Sequence, residues 1–481
     1  MSQTLAPSNK KPNILIIMAD EHDPLVSNPY GDSLVRTPNL QRLAQGGATF
    51  ENAYCNSPLC VTSRTSFMTG QHLYRNGCWD NSLPLGSEVP TWAHRLNAAG
   101  YETCLAGKMH FIGPDQLHGF KRRIMPDIHG SGRISGSLPD WDTGIPASGV
   151  IMRKRLMEQP GPGNYLHLDY DEEVTSRVTR YLSEPERKEQ PWVLCAAIFS
   201  PHFPFIVRPE LYHYYLDKVD LPHIPDGHLE SQHPQNKNLR KFFDCDNIPP
   251  EQARKAKAAY YGLVEYADEQ IGVMLDSLQA NGLADNTIII YVSDHGEMLG
   301  RHGLWYKCSF YDPSVRIPLI VNWPEKIQPG SRFTQITSLL DVTSTLLDIA
   351  GADDAYTDGD SLLPLLTGQA KESEGTVLAE YEGHGVTTVG RMIRRGRYKL
   401  NYYYRERSEL FDLVADPDEF HDLIDEPQHA ALIEELTALI TEDWDPKKIY
   451  DDVVRSQKVR LITAKGSYGP WSPPWRAGSF G

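Results

Sequence analysis

Three runs of the chain are apolar almost without interruption: residues 14–19 (Ile-Leu-Ile-Ile-Met-Ala), 192–199 (Trp-Val-Leu-Cys-Ala-Ala-Ile-Phe) and 287–292 (Thr-Ile-Ile-Ile-Tyr-Val). A strand with one wet face alternates, so continuous runs of this length predict parallel strands covered on both faces. Each run breaks at once into polar residues: Asp20-Glu21-His22-Asp23, Ser200-Pro201-His202 and Ser293-Asp294-His295-Gly296-Glu297. Open parallel sheets place their sites at the carboxyl ends of strands, so chemistry is expected at these three ends. Residues 101–106 and 317–322 read as further strands. The first leads into Gly107-Lys108-Met109-His110, where an extended backbone points Lys108 and His110 the same way.

Helical patterns separate the strands. Residues 37–46 carry proline in the first turn, 91–100 and 171–183 are amphipathic, and 338–351 stop at a glycine. Residues 251–279 keep Tyr260, Leu263, Tyr266, Ile271, Met274 and Leu278 in register. This alternation predicts an α/β fold, a large mixed, mostly parallel sheet flanked by helices, over residues 12–370. From about residue 371 the texture becomes alternating, over 376–381, 385–394 and 398–404, followed by a terminal helix at 428–444. That predicts a smaller C-terminal α+β subdomain with an antiparallel sheet over 371–450. Residues 1–11 read as a disordered N-terminus and 451–481 as a tail for packing on a neighbouring subunit. Residues 121–170 and 210–246 show no sustained period and read as loops that wall a pocket.

The stretch Ser57-Pro58-Leu59-Cys60-Val61-Thr62-Ser63-Arg64-Thr65-Ser66-Phe67-Met68-Thr69-Gly70 predicts a helix starting near Cys60. Ser63, Thr65 and Ser66 are candidate capping hydroxyls, and Gly70 is the stop. A side chain at a helix N-terminus meets unpaired amides and the positive end of the dipole, which suits a nucleophile that must bind an anion. Arg64, one turn later, is expected to aim at the same spot. Taken alone, Cys60 reads first as a buried core thiol.

Composition narrows the partners. With 40% hydrophobic and 10% aromatic residues, the 481-residue chain has ample core. A formal charge of -16 argues against nucleic acid, though not against an anion held in a local basic pocket. The seven cysteines are scattered without C-x-x-C pairs, the first residues carry no apolar leader, and no run reaches the roughly 20 apolar residues of a membrane span. A cytoplasmic, disulfide-free protein with no membrane partner is the expectation.

Cys60-x-x-Ser63-Arg64 followed by Thr65-Ser66-x-x-Thr69-Gly70 resembles the signature of the type I, formylglycine-dependent sulfatases of the alkaline phosphatase superfamily, with Thr62 where that family has proline. Thr37-Pro38-Asn39-Leu40, Pro201-His202-x-Pro204, Asp294-His295-Gly296, His302-Gly303 with Lys307, and the closing phrases at 409–413 and 416–419 resemble it in the same order. The phrase at 107–120 is similar to the choline sulfatase branch, to which phosphonate monoester hydrolases are related. The resemblance implies an alkaline-phosphatase-like fold and hydrolysis of a small sulfate ester. In it, a maturase oxidises Cys60 to formylglycine, whose hydrate attacks sulfur. It further implies a divalent metal, Ca²⁺ ahead of Mg²⁺ or Mn²⁺, on Asp20, Glu21, Asp294, His295 and residue 60.

On the same resemblance, Arg64, Lys108, His202 and Lys307 surround the sulfate, His110 is the base that collapses the hemiacetal, and His202 or Lys307 protonates the leaving alcohol. Asn81, with Trp79, Tyr306 and His302, is a candidate for contacts with the ester. A choline substrate calls for an aromatic cage and a carboxylate, which Trp79, Tyr306, Glu380 and Glu382 offer, but choline sulfatases carry an acidic residue near where this chain has His384. Two alternatives stay open: a phosphonate monoester or phosphodiester hydrolase with the same parts, and an anion-binding protein whose Cys60 is never converted. A homo-oligomer is the expected assembly.

Overall fold

The computed structural model describes residues 11–130, 141 and 159–468. Its centre is an eight-stranded sheet in the order β10-β2-β9-β8-β1-β6-β3-β4. The strands are β1 Asn13–Asp20, β2 Ala48–Tyr54, β3 Glu102–Gly107, β4 Arg122–Met125, β6 Trp192–Pro201, β8 Thr287–Ser293, β9 Arg316–Asn322 and β10 Ser331–Ser338. β8, β1, β6, β3 and β4 run parallel as a block, and β9 is antiparallel to both β8 and β2. Gly161–Pro162 (β5) and Ile206–Val207 (β7) form a separate two-residue ladder.

Pleating divides β1 between two cores. Ile14, Ile16 and Met18 join one apolar cluster, and Leu15, Ile17 and Ala19 the other. All six are fully buried, the physical reason this run shows no alternation. Helices Cys60–Thr69, Trp92–Ala98 and Leu339–Ala350 pack on the first face. Helices Pro38–Gly46, Leu166–Leu182 and the C-terminal half of Pro250–Ala280 cover the second. The helix Leu339–Ala350 begins with a Ser338/Asp341 capping box and ends at Gly351 in the left-handed conformation, as its sequence predicts.

Beyond it lies a four-stranded antiparallel sheet, β11 Thr376–Tyr381, β12 Gly390–Arg395, β13 Tyr398–Tyr403 and β14 Glu409–Asp412, in sequential order. The second of these strands starts later than the alternation suggested, because residues 385–389 form the turn into it.

Three expectations are corrected. Residues 210–246 are not simply loop, since they contain the rest of helix Pro209–Leu216 and the helices His228–Ser231 and Pro234–Phe242. Polar and histidine-rich faces on short helices leave little apolar period to read. The described ends of 121–170 hold β4 and the start of helix Leu166–Leu182, while 131–140 and 142–158 lie outside the described residues. Helix Ala430–Thr441 is not the last, because Pro446–Tyr468 forms another from residues read as tail; 469–481 lie outside the described residues.

All seven cysteines are buried and free, and no helix among the described residues is long and apolar enough to cross a membrane.

Candidate active site

The parallel block delivers its polar residues to one place. Asp20 closes β1 and Asp294 follows β8, while Lys108 and His202 follow β3 and β6. Because Ala19 pairs with Ser293 and Gly107 with Ala197, these strand ends are level. Gly107 is required there: its φ is +99°, and a Cβ would lie 2.0 Å from the Ala197 carbonyl oxygen. Glu21 and His110 adopt left-handed backbone, φ 67° and 58°, strained conformations of the kind that gather at functional sites.

Into this ring points the tip of helix Cys60–Thr69. The helix starts at Cys60 itself, with Leu59 as N-cap and no side-chain cap bond from that residue. Ser63, Thr65 and Ser66 therefore lie inside the helix, correcting their reading as caps. Ser63 Oγ instead donates to the Asp294 carbonyl and Thr65 Oγ1 to the Thr62 carbonyl. Thr62 Oγ1 donates to the Leu59 carbonyl and lies 2.7 Å from Ser57 Oγ. Gly70 ends the helix in the left-handed conformation, as expected.

Cys60 Sγ lies 3.2 Å from His295 Nε2, 3.9 Å from Asp20 Oδ1 and 3.8 Å from Lys108 Nζ. Asp20, Cys60, Asp294 and His295 each offer a donor atom within 4.8 Å of the others, and Asp20, Glu21 and His202 form a second such group. His295 Nδ1 sits 3.0 Å from the Gly296 carbonyl, which only accepts, so Nδ1 carries the proton and Nε2 keeps its lone pair toward the cluster. Asp294 Oδ1 is fixed by the amides of Glu21 and His295.

Arg64 lies close enough to Cys60 to feel its charge, as expected, and is bonded to its neighbours. Its guanidinium donates Nε to Asp294 Oδ2 at 2.8 Å, Nη2 to Asp20 Oδ2 at 3.0 Å and Nη1 to the Lys108 carbonyl, so it orients the two carboxylates. Being planar and fully buried, it is committed to those acceptors. Burial by itself raises the Asp20 pKa, but Lys108, which pairs with Oδ2, and then His202 and Arg64 hold it well below the usual carboxylate range.

Glu21 faces the other way, accepting from Lys307 Nζ at 2.8 Å, and burial holds its pKa well above the ordinary value. Lys307 Nζ also lies 2.9 Å from His202 Nε2, and His202 Nδ1 lies 2.6 Å from the Phe203 carbonyl. His202 thus donates through Nδ1 and accepts the Lys307 proton through Nε2. Burial and Lys307 depress the His202 pKa well below its ordinary value, whereas Cys60, Glu21 and Asp20 raise that of Lys307 against its burial.

His110 is half-buried beside this group, with its ring stacked on His129 at 4.3 Å. Burial, His129 and Lys108 push its pKa well down, so it is neutral. The amides of Met109 and His110 both donate to Asp127 Oδ2, which fixes the turn carrying Lys108 and His110. Asp127 and His129 were missed by sequence reasoning because they follow β4 in a segment without periodicity.

The candidate ester contacts fare differently. Asn81 stands at the start of helix Cys60–Thr69, but its Oδ1 accepts the Val61 amide at 3.0 Å. Trp79 is buried in the apolar core, and Tyr306 is fully buried against Phe203, Phe205 and Phe243. His302 is drawn away: it stacks on Tyr311 at 3.7 Å and shares a hydrogen bond with His228. Its left-handed φ of 55° turns it from the cluster that Lys307 enters. Glu380 is taken up by the Tyr74 amide and by Arg391, whereas neither carboxyl oxygen of buried Glu382 has a hydrogen-bond partner among the described residues.

A helix-tip residue, two carboxylates and a ring of cations at the carboxyl ends of a largely parallel sheet define an alkaline-phosphatase-like hydrolase of tetrahedral oxyanion esters. Residues 12–352 match the Sulfatase family model, and residues 300–445 match the C-terminal region of N-sulphoglucosamine sulphohydrolase. The chain is 35% identical to the choline-sulfatase of Rhizobium meliloti (strain 1021) over 96% of this chain and 93% of that protein. It is 28% identical to arylsulfatase K of Xenopus laevis over 86% and 80%. Among solved structures, the phosphonate monoester hydrolase of Agrobacterium radiobacter superposes with a TM-score of 0.75 at 22% identity, covering 90% of this chain and 96% of that one. A 2-O GAG sulfatase, BT1596, superposes at 0.71 with 26% identity, covering 94% of each. The chain belongs to the sulfatase family, and it is a sulfuric ester hydrolase.

Proposed function

We propose that this enzyme cleaves the S–O bond of a small sulfate monoester, releasing alcohol and inorganic sulfate, with residue 60 as nucleophile after a maturase converts Cys60 to formylglycine. The observation that carries the reading is the placement of Cys60 Sγ, 3.2 Å from His295 Nε2 and 3.8 Å from Lys108 Nζ at a helix tip. Left as cysteine, the side chain is poorly suited: burial pushes its thiol up to about 12, so it keeps its proton at neutral pH. Soft sulfur is also mismatched to a cluster whose other donors are two carboxylates and an imidazole. Once converted and hydrated, residue 60 would supply the oxygen that attacks sulfur; Asp20, Asp294 and His295, with residue 60, would hold a hard divalent cation, Ca²⁺ ahead of Mg²⁺ or Mn²⁺, which would supply positive charge beside the reacting oxygens.

The chain's own groups do the rest. Lys108 and Lys307 bring positive charge to the sulfate oxygens, where it strengthens as charge accumulates. Arg64 fixes Asp20 and Asp294, and Glu21 anchors Lys307. Lys307, which keeps its proton against its burial and whose ammonium is oriented by His202 Nε2 at 2.9 Å, is the donor for the leaving alcohol, and water returns the proton to it afterwards. His110, neutral by burial, takes up the proton released when sulfate departs. Under this reading Asn81 orients the nucleophile rather than the ester.

The test compares kcat/KM on aryl sulfate and aryl phosphonate esters, followed by a panel including choline sulfate and sugar sulfates. Preference for sulfate supports the reading. Preference for phosphonate transfers the same site to phosphoryl chemistry, an outcome to which the Agrobacterium neighbour gives weight at the level of fold alone.

A further inference from the structure

We propose that Arg460 is a positioning residue for the nucleophile, acting from the C-terminal helix Pro446–Tyr468 through Asp80 and Asn81 on the start of helix Cys60–Thr69. Arg460 Nη1 and Nη2 donate to Asp80 Oδ1 and Oδ2, each at 2.8 Å, across 380 residues of sequence. Both side chains are buried, at 6% and 1% exposure, so the fork is held in one geometry and not traded with water. Asp80 Oδ1 also accepts the Ser82 amide at 2.8 Å, closing a turn with Asn81 at its centre. Asn81 Oδ1 in turn accepts the Val61 amide, the peptide group next after Cys60.

Leu59, the N-cap, makes no side-chain bond to the helix, so Asn81 reaches in to satisfy an amide left open there. Fixing the Asp80 carboxylate fixes the turn, the turn aims Asn81, and Asn81 sets the rotation of the helix tip. The base of this arm is firm. Ile449, Val453, Gln457 and Arg460 are buried on one face of the terminal helix, and Gln457 Oε1 accepts the Trp141 amide one turn before Arg460. Asp80 also lies among the charges felt by His384, whose other charged neighbour is Lys307, so the turn borders the cation side of the site.

A merely structural ion pair predicts lower stability with unchanged turnover per folded molecule; a positioning role predicts lower turnover. The inference rests on residue 60 carrying the nucleophile. The experiment measures kcat, KM and Tm of the full chain at equal residue-60 conversion for R460M, R460K, N81A and R460M/N81A. R460M is expected to lower kcat about 10- to 100-fold. KM should move less than about 3-fold, R460K should recover part of kcat, and the double variant should be no slower than the slower single one, since both act on one amide. Multiplying losses, or a folded R460M with the parent kcat, overturn the inference. Should R460M not fold, D80N/R460Q, which leaves no buried charge unpaired, is read against N81A in the same way. Activity in C60A would instead remove the nucleophile assignment, whereas an inactive C60A beside an unimpaired R460M removes this inference alone.

Discussion

At the carboxyl ends of β1, β6 and β8, buried charges converge. His295 Nε2 lies 3.8 Å from Asp20 Oδ1 and 3.7 Å from Asp294 Oδ1, and the cations Lys108 and Lys307 approach the same space. In the C-terminal sheet, buried charges close on themselves instead. Lys399 Nζ is met by the Phe310 carbonyl at 2.9 Å, Asp312 at 2.8 Å and Glu419 at 2.5 Å. Arg391 donates to the Ile440 carbonyl and Asp443, and Glu409 accepts from Asn401 and Tyr403. Both regions remove ions from water. Only the first leaves donor atoms aimed at a shared point, which marks it as built for ligands, while the second locks one sheet to the loop before β9.

This contrast is broken most severely at position 60. Cys60→Ala is expected to lower kcat on the order of 10⁴-fold or more, with Tm little changed, because the side chain is small and its loss leaves the surrounding ion pairs intact. Asp294→Asn removes a carboxylate that accepts from Arg64 and that would help hold a bound cation. It should cost roughly 10²- to 10³-fold in kcat, accompanied by weaker recovery when Ca²⁺, Mg²⁺ or Mn²⁺ is returned after chelation.

Lys399→Met should do the reverse. Leaving Asp312 and Glu419 buried without their cation is expected to cost about 3–5 kcal/mol of stability, read by denaturant unfolding, with kcat of the folded fraction unchanged. A large drop in turnover there would dissolve the distinction between the regions.

The smallest effect concerns pH. Burial pushes the Glu409 carboxyl up to about 7, so the folded state holds a proton that the unfolded chain releases near 4.5. Its stabilising contribution is therefore complete below the unfolded pKa and is lost as pH rises through the folded one, with a slope of at most about 1.4 kcal/mol per unit. Glu409→Gln should flatten the stability profile between those values, and an unchanged profile would show that the proton is not held.

The sheet was legible where burial on two faces erases alternation, as in β1, β6 and β8, and the strand ends then located Asp20, His202, Asp294 and Lys108. What local pattern carries poorly is what depends on contacts far along the chain. Arg64 meets two carboxylates contributed by separate strands, Asp127 holds the Lys108 turn from an aperiodic segment, and Asp80 finds Arg460 on a helix whose polar outer face hid its period. His302, adjacent in sequence to residues that reach the cluster, is rotated out by one left-handed residue. Proximity in sequence to Lys307 said little about direction.

The proposed chemistry depends first on the identity of residue 60. The mass of the peptide spanning it, taken from active enzyme produced beside a formylglycine-generating maturase, should be that of formylglycine, with kcat rising in proportion to the converted fraction. A fully active preparation in which that peptide still carries unmodified cysteine would contradict it.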